Sequence, residues 1–175
     1  MSGAIVVMGV SGCGKSTLAQ ALAARLGWQF VEGDALHPEG NVRKMAAGMA
    51  LDDADREPFL RAVADALAAG RRTGVVASCS ALKRRYRDLL RQASGGPVLF
   101  VLPKLGREML AVRLQQRPGH FMPASLLDSQ LATLEWPGTD EGALTIDGGV
   151  PTAQQVEGVL QALFPTSTES PGAPA

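Results

Sequence analysis

AIVVMGVSGCGKST, residues 4–17, decides the fold. Its first half, Ala4 to Val10, is an unbroken apolar run. A strand with one wet face alternates polar and apolar residues, so a run without polar breaks reads as a strand buried on both faces. The second half, GVSGCGKST, satisfies G-x-x-x-x-G-K-[ST] through Gly9, Gly14, Lys15 and Ser16. Glycines let backbone N–H groups turn inward around phosphate oxygens. Gly9, Val10, Ser11, Gly12, Cys13, Gly14, Lys15, Ser16 and Thr17 are therefore the expected nucleotide-binding residues. Lys15 is placed to reach the β- and γ-phosphates, the Ser16 hydroxyl to ligate Mg²⁺, and the helix that follows to add a favourable N-terminal potential. The expected ligands are a nucleoside triphosphate and Mg²⁺.

Outward from this stretch, apolar runs alternate with helical patterns. Strands are expected at 4–10, 28–33, 74–78, 97–102 and 143–147. Helices are expected at 15–26, 39–47, 53–69, 82–92, 106–116, 124–135 and 153–164. This alternation predicts an α/β fold with a parallel sheet covered on both faces. In such folds ligands bind beyond the carboxyl ends of the strands.

A length of 175 residues suits one domain. Residues 1–165 are read as that domain, and 166–175, nearly free of apolar groups, as a disordered tail. The formal net charge is zero, which argues against bulk affinity for nucleic acid or an anionic membrane. The apolar start is too short for a signal peptide or a membrane span. Cys13 and Cys79 have neither disulfide-framework nor zinc spacing, which fits a reducing cytoplasm. No N-K-x-D or D-x-x-G motif is present, which disfavours a GTP-dependent switch.

Just past the second strand comes VEGDALHPEGNVRKM, residues 31–45. An acid, an imidazole and two cations together suit a metal site, a substrate site or helix capping. Asp34 fits a general base toward an attacking hydroxyl, and a role in holding a magnesium-bound water competes with that. The third strand ends in Ser78, where many P-loop enzymes carry an acid. His37 and Lys44 lie seven residues apart and can share a helix face, so both are candidate substrate ligands.

With GVSGCGKS, GDALHPEGNVRKMAAGMALDDADREPFL, SCSALKRRYRDLLR, RPGHFMPASLLDSQLATLE and Pro137, the chain resembles the bacterial gluconokinases of the thermoresistant type from about Ile5 to Val159. The resemblance implies an adenylate-kinase-like fold, a five-stranded parallel sheet, a mobile lid at about 117–137 and a homodimer. It also implies phosphorylation of the 6-hydroxyl of D-gluconate by ATP. Departures from the pattern are Cys13, Phe59 and the segment LPKLGREML. In the resembling kinases the counterpart of Arg113 lies against adenine and that of Arg117 reaches the phosphates, which makes Arg117 a candidate catalytic residue beside Lys15 and Asp34. Arg56, a cation where the helix dipole disfavours one, is the first candidate for a carboxylate grip, followed by Lys83 and Arg87. Arg84, Arg85 and Arg91 read as solvated. His120 at the lid tip and Gln130 are further candidates toward the substrate. The Cys13 thiol, beside a helix N-terminus and Lys15, is a candidate for a lowered pKa and for inactivation by alkylation, against the alternative of a small residue that merely fits. The alternatives are a related small-molecule kinase, such as a shikimate kinase, and a partner-dependent ATPase.

Overall fold

The computed structural model describes residues 2–116 and 124–165. In chain order the elements are β1 (Ala4–Val7), α1 (Lys15–Leu26), β2 (Gln29–Glu32), α2 (Glu39–Ala46), α3 (Asp53–Gly70), β3 (Val75–Ser78), α4 (Arg84–Ala93) and β4 (Leu99–Lys104). They continue with α5 (Arg107–Gln115), α6 (Ala124–Thr133), β5 (Leu144–Asp147) and α7 (Thr152–Leu163). Two 3-10 turns, Gly33–Leu36 and Thr139–Glu141, were not legible in the sequence pattern. The five strands are all parallel, in the order β2-β3-β1-β4-β5.

β1 explains the architecture. Its side chains alternate between two apolar layers. Ala4, Val6 and Met8 enter the core that α3 and α4 cover, with Phe59, Val63, Leu67 and Leu90. Ile5 and Val7 enter the core that α1 and α7 cover, with Leu18, Leu22, Val156 and Val159. Both faces are dry, so the run carries no polar break. A third cluster lies past the strand ends: Val10, Cys13, Leu82, Leu110, Leu114 and Leu127.

The register brings the carboxyl ends level. Val7 lies opposite Ser78 and Val101, and Ser78 lies opposite Glu32. The loops after β1, β2 and β3 therefore leave the sheet side by side. β4 runs two residues further than the apolar pattern suggests, through Pro103 to Lys104, because its far end pairs with β5 alone. α4 starts at Arg84 rather than Leu82: the Leu82 carbonyl is already taken by the Glu135 N–H at 2.9 Å.

Arg87, expected to grip substrate, is fully buried and holds the fold instead. Its guanidinium meets the Glu141 carboxylate through two bonds of 2.6 and 2.7 Å. It also donates to the carbonyls of Ala81 and Leu82, each at 3.2 Å. Arg91, expected to be solvated, donates to the Glu141 carbonyl at 2.8 Å and lies 4.7 Å over the Phe100 ring. The Arg87 guanidinium holds Glu141 down from the ordinary 4.5 to about 2, against the opposing effect of burial.

This pair generates a stability prediction. Replacing one member leaves a buried charge without its partner, so Glu141→Gln should cost about 3 kcal/mol. At this chain length that lowers the unfolding midpoint by roughly 10 °C. The native carboxyl pKa is depressed, so the contribution is fully present above pH 4.5 and is lost as pH falls toward about 2. Denaturation at several pH values should show a constant difference from wild type above pH 4.5. That difference should shrink steadily below it; one that does not vary with pH would refute the assignment.

Candidate active site

The loop between β1 and α1 forms a cradle. Gly9, Gly12 and Gly14 have φ of 130°, 84° and 91°, which side chains rarely adopt. α1 has no side-chain cap and no acid in its first turn. α3, by contrast, is closed by a reciprocal capping box between Asp52 and Asp55. The N-terminal amides of α1 are thus left for an outside anion. Lys15 Nζ donates to the Val10 carbonyl at 3.1 Å, folded over the loop. Arg113 on α5 donates to the Gly148 carbonyl at 3.0 Å, which places its guanidinium between the cradle and the turn after β5.

Cys13 corrects an expectation. Its thiol is 2 % exposed and packed with Val10, Leu110, Leu114 and Leu127. Burial pushes its pKa up, and the nearby cations Lys15 and Arg113 only oppose that shift. Cys79 is buried too, and its pKa is pushed up to about 12.

Beside the cradle, β2 ends against β3. The Ser78 hydroxyl accepts from the Gly33 N–H at 3.0 Å and donates to the Glu32 carboxylate. The serine that stands where an acid is common thus ties two strand ends together. The approach is so close that a Cβ on Gly33 would overlap the Ser78 carbonyl, which only glycine avoids. Asp34 follows in the 3-10 turn, exposed at the sheet edge.

His37 is half-buried, its ring stacked on Phe59 with centroids 3.7 Å apart. Its Nδ1 faces the Asn41 amide nitrogen at 3.3 Å, and that nitrogen also donates to the Asp55 carbonyl at 2.7 Å. With Nδ1 accepting, the neutral ring carries its proton on Nε2. Burial lowers the His37 pKa, Arg56 adds to this and Asp34 opposes it, so the neutral, Nε2-donating form is favoured.

The expected cations separate into two kinds. Lys44 bonds both oxygens of Asp55, at 2.6 and 2.7 Å. Lys83 bonds both oxygens of Asp53, at 3.0 and 3.3 Å, and Asp53 also takes Tyr86 and Arg85. Arg56 is different. It is buried at 9 % exposure and donates to the Leu51 carbonyl at 3.3 Å, with Ser80 Oγ at 3.5 Å. Among the described residues it makes no ion pair with a carboxylate. Gln130 lies on the nucleotide side, its Oε1 accepting from the Ser11 N–H at 2.7 Å. Arg117 and His120 lie outside the described residues, as do the lid tip and the expected tail at 166–175.

Sequence reasoning missed Glu32, Asn41, Phe59 and Glu141 as parts of this end of the molecule. Asn41 carried a signal: it sits four residues after His37 and three before Lys44 on the same face. Magnesium fits the donors. No cluster of three or more acidic, histidine or cysteine side chains exists among the described residues. Mg²⁺ needs no such cage, since it is usually held by phosphate oxygens, water and one or two protein oxygens, a part the Ser16 hydroxyl at the start of α1 would suit.

Comparison with known proteins gives a consistent family. An AAA domain family model matches residues 5–137. A gluconokinase of Gluconobacter oxydans (strain 621H) is 56% identical over 146 residues, covering 82% of each chain. A thermoresistant gluconokinase of Escherichia coli (strain K12) is 45% identical over 158 residues, covering 89% of this chain and 87% of that one. The crystal structure of a gluconokinase from Sinorhizobium meliloti 1021 superposes with a TM-score of 0.82 at 44% identity, covering 95% and 98% of the two chains.

Thiol labelling tests the buried-cradle geometry. In native protein at pH 8 both cysteines should react with an aromatic disulfide far more slowly than in urea-unfolded protein, because both are neutral and covered. Rapid native labelling of Cys13 would contradict its placement.

Proposed function

This chain belongs to the gluconokinases, and from that membership we propose how its residues divide the work of phosphorylating gluconate. It is a phosphotransferase acting on a small-molecule acceptor. The donor in this reading is ATP, bound by residues 9–17 with Arg113 on the adenine side. Mg²⁺, held by the phosphates and Ser16, supplies charge neutralisation. The kinase unit is residues 1–165 with a lid at about 117–137. The assembly is a homodimer in the cytoplasm.

The observation that carries the acceptor assignment is Arg56. A buried guanidinium without a carboxylate partner among the described residues is costly unless an anion arrives. A sugar acid brings one, in the planar form that a guanidinium fork matches. With the carboxylate at Arg56, the polyol chain runs past His37, Lys44 and Lys83. Its far end, the 6-hydroxyl, reaches Asp34 at the edge of the cradle. Asp34 accepts the hydroxyl proton as the oxygen bonds to the γ-phosphorus and the bond to ADP breaks. Lys15 and Arg117 balance the charge on the transferring group. Arg87 is excluded from this set by its burial against Glu141, and Gln130 belongs to the nucleotide side.

A coupled ADP-release assay over a panel of sugar acids is the direct test. Turnover with gluconate well above the acceptor-free rate is expected. ATP hydrolysis that no acid stimulates would favour a partner-dependent ATPase, and turnover with shikimate alone would favour the other kinase reading. Asp34→Asn should lower kcat by about 10²-fold or more, the usual size of lost proton-transfer catalysis. Arg56→Ala should raise the gluconate KM by at least about tenfold while leaving the ATP KM nearly unchanged, as expected for loss of a charge-assisted bond. Equal effects on both substrates would remove Arg56 from the carboxylate role.

A further inference from the structure

One peptide unit in the nucleotide cradle is gripped at both ends. The Val10 carbonyl accepts from Lys15 Nζ at 3.1 Å and from the Cys13 N–H at 3.4 Å. The Ser11 N–H, on the other side of the same plane, donates to Gln130 Oε1 at 2.7 Å. The second half of this grip comes from a distant part of the chain, since Gln130 lies 119 residues after Ser11.

Gln130 is not a loose surface amide. It rides on α6, and the apolar side of α6 packs on the cradle itself. Leu127 is 1 % exposed, within the cluster that includes Val10 and Cys13 of the loop, Leu82 of the β3–α4 connection, and Leu110 and Leu114 of α5. That packing fixes where the Gln130 amide can reach. The bond it makes then fixes the Val10–Ser11 plane. A flip of that peptide would break the bonds to Gln130 and Lys15 together and would turn a carbonyl oxygen toward Gln130 Oε1. A lysine ammonium on a flexible stem has little orientation of its own, so its resting place is set by what it donates to. Here that partner is the Val10 carbonyl.

We propose that Gln130 is a positioning residue for the nucleotide: it orients the Val10–Ser11 peptide and, through it, parks Lys15 over the cradle. The helix that carries Gln130 thereby becomes part of the phosphate site, although it contributes nothing to the G-x-x-x-x-G-K-[ST] motif. The proposal rests on the kinase reading at the nucleotide site and is independent of which acceptor is used.

The test uses Gln130→Met, which keeps length but removes the acceptor oxygen, and Gln130→Glu, which keeps an oxygen. Calorimetry of wild type and Gln130→Met with Mg·ADP alone should show binding weakened about tenfold, the scale of one lost hydrogen bond that orders a charged group. Hydrogen–deuterium exchange without nucleotide should show faster uptake in the peptide covering residues 8–14 for Gln130→Met, with peptides from β1 and β3 unchanged. Gln130→Glu should restore that protection. The gluconate KM should stay within about twofold of wild type in Gln130→Met. Unchanged ADP affinity and uptake in Gln130→Met would overturn the proposal. So would a loss confined to the gluconate KM, which would make Gln130 an acceptor ligand. Faster exchange throughout α6 and β1 with a lowered unfolding midpoint would overturn it as well, making Gln130 a packing residue. Because binding and exchange are read without acceptor, these failures leave the gluconate assignment standing, whereas wild-type protein that binds no ADP would sink the kinase reading itself.

Discussion

The catalytic end of this molecule depends on a backbone bond between two loops: the Gly9 N–H donates to the Ser80 carbonyl at 3.1 Å. Gly9 opens the nucleotide cradle, and Ser80 lies in the connection after β3 that leads to Lys83. The bond sets the spacing between donor and acceptor sides. The connection can offer its carbonyl only because it turns through Ala81, which has a φ of 42° and is fully buried. A non-glycine residue in that region costs about 1 kcal/mol or more and persists where its surroundings over-determine it. Arg87 supplies that determination by holding the carbonyls of Ala81 and Leu82, while the Glu135 N–H holds Leu82 from the other side. A buried ion pair thus helps to fix the frame of the loops at this end of the sheet.

Much of this frame was legible in residues 4–17. The dry apolar run specified a central parallel strand, and the glycine spacing specified the turn and the helix start. The sheet order was not legible from the pattern, because strands buried on both faces look alike whatever their neighbours. The acceptor side was half legible. His37 and Lys44 could be placed on one face by spacing. The stacking of His37 on Phe59 could not, because Phe59 lies twenty-two residues further on.

Arg87 and Cys13 show where local reasoning stops. Lys83 and Arg87 are four residues apart, and that spacing says they share a helix face. It does not say that one end of the face is wet and the other is sealed by Glu141, fifty-four residues away. Cys13 sits beside a helix N-terminus and a lysine, and both lower a thiol pKa when water keeps the charge affordable. The cluster from α5 and α6 removes that water, and desolvation outweighs the two cations. In both cases a long-range packing partner reversed the sign of a correct local argument.

In the proposed reading, two lysines and one arginine meet the acceptor on different terms. The first turn of α3 is acidic: Asp55, which closes the cap with Asp52, also neutralises Lys44, and Asp53 beside it neutralises Lys83. A lysine–aspartate pair presents a donor beside an acceptor. A hydroxyl can satisfy both at once, since it donates and accepts, whereas a carboxylate would meet a lysine already compensated and an aspartate that repels it. Arg56, one residue beyond Asp55 on the same helix, turns inward to Ser80 and escapes that compensation. On that reading the acidic first turn of one helix sorts the cations: the paired lysines suit hydroxyls, and Arg56, without a carboxylate partner among the described residues, suits the acid group. A neutral sugar would leave the buried charge of Arg56 unanswered, and a second carboxylate would find no free cation along the lysine pairs. In the proposed reading, a substrate with one carboxylate at one end and hydroxyls along its length is what this distribution of charge selects.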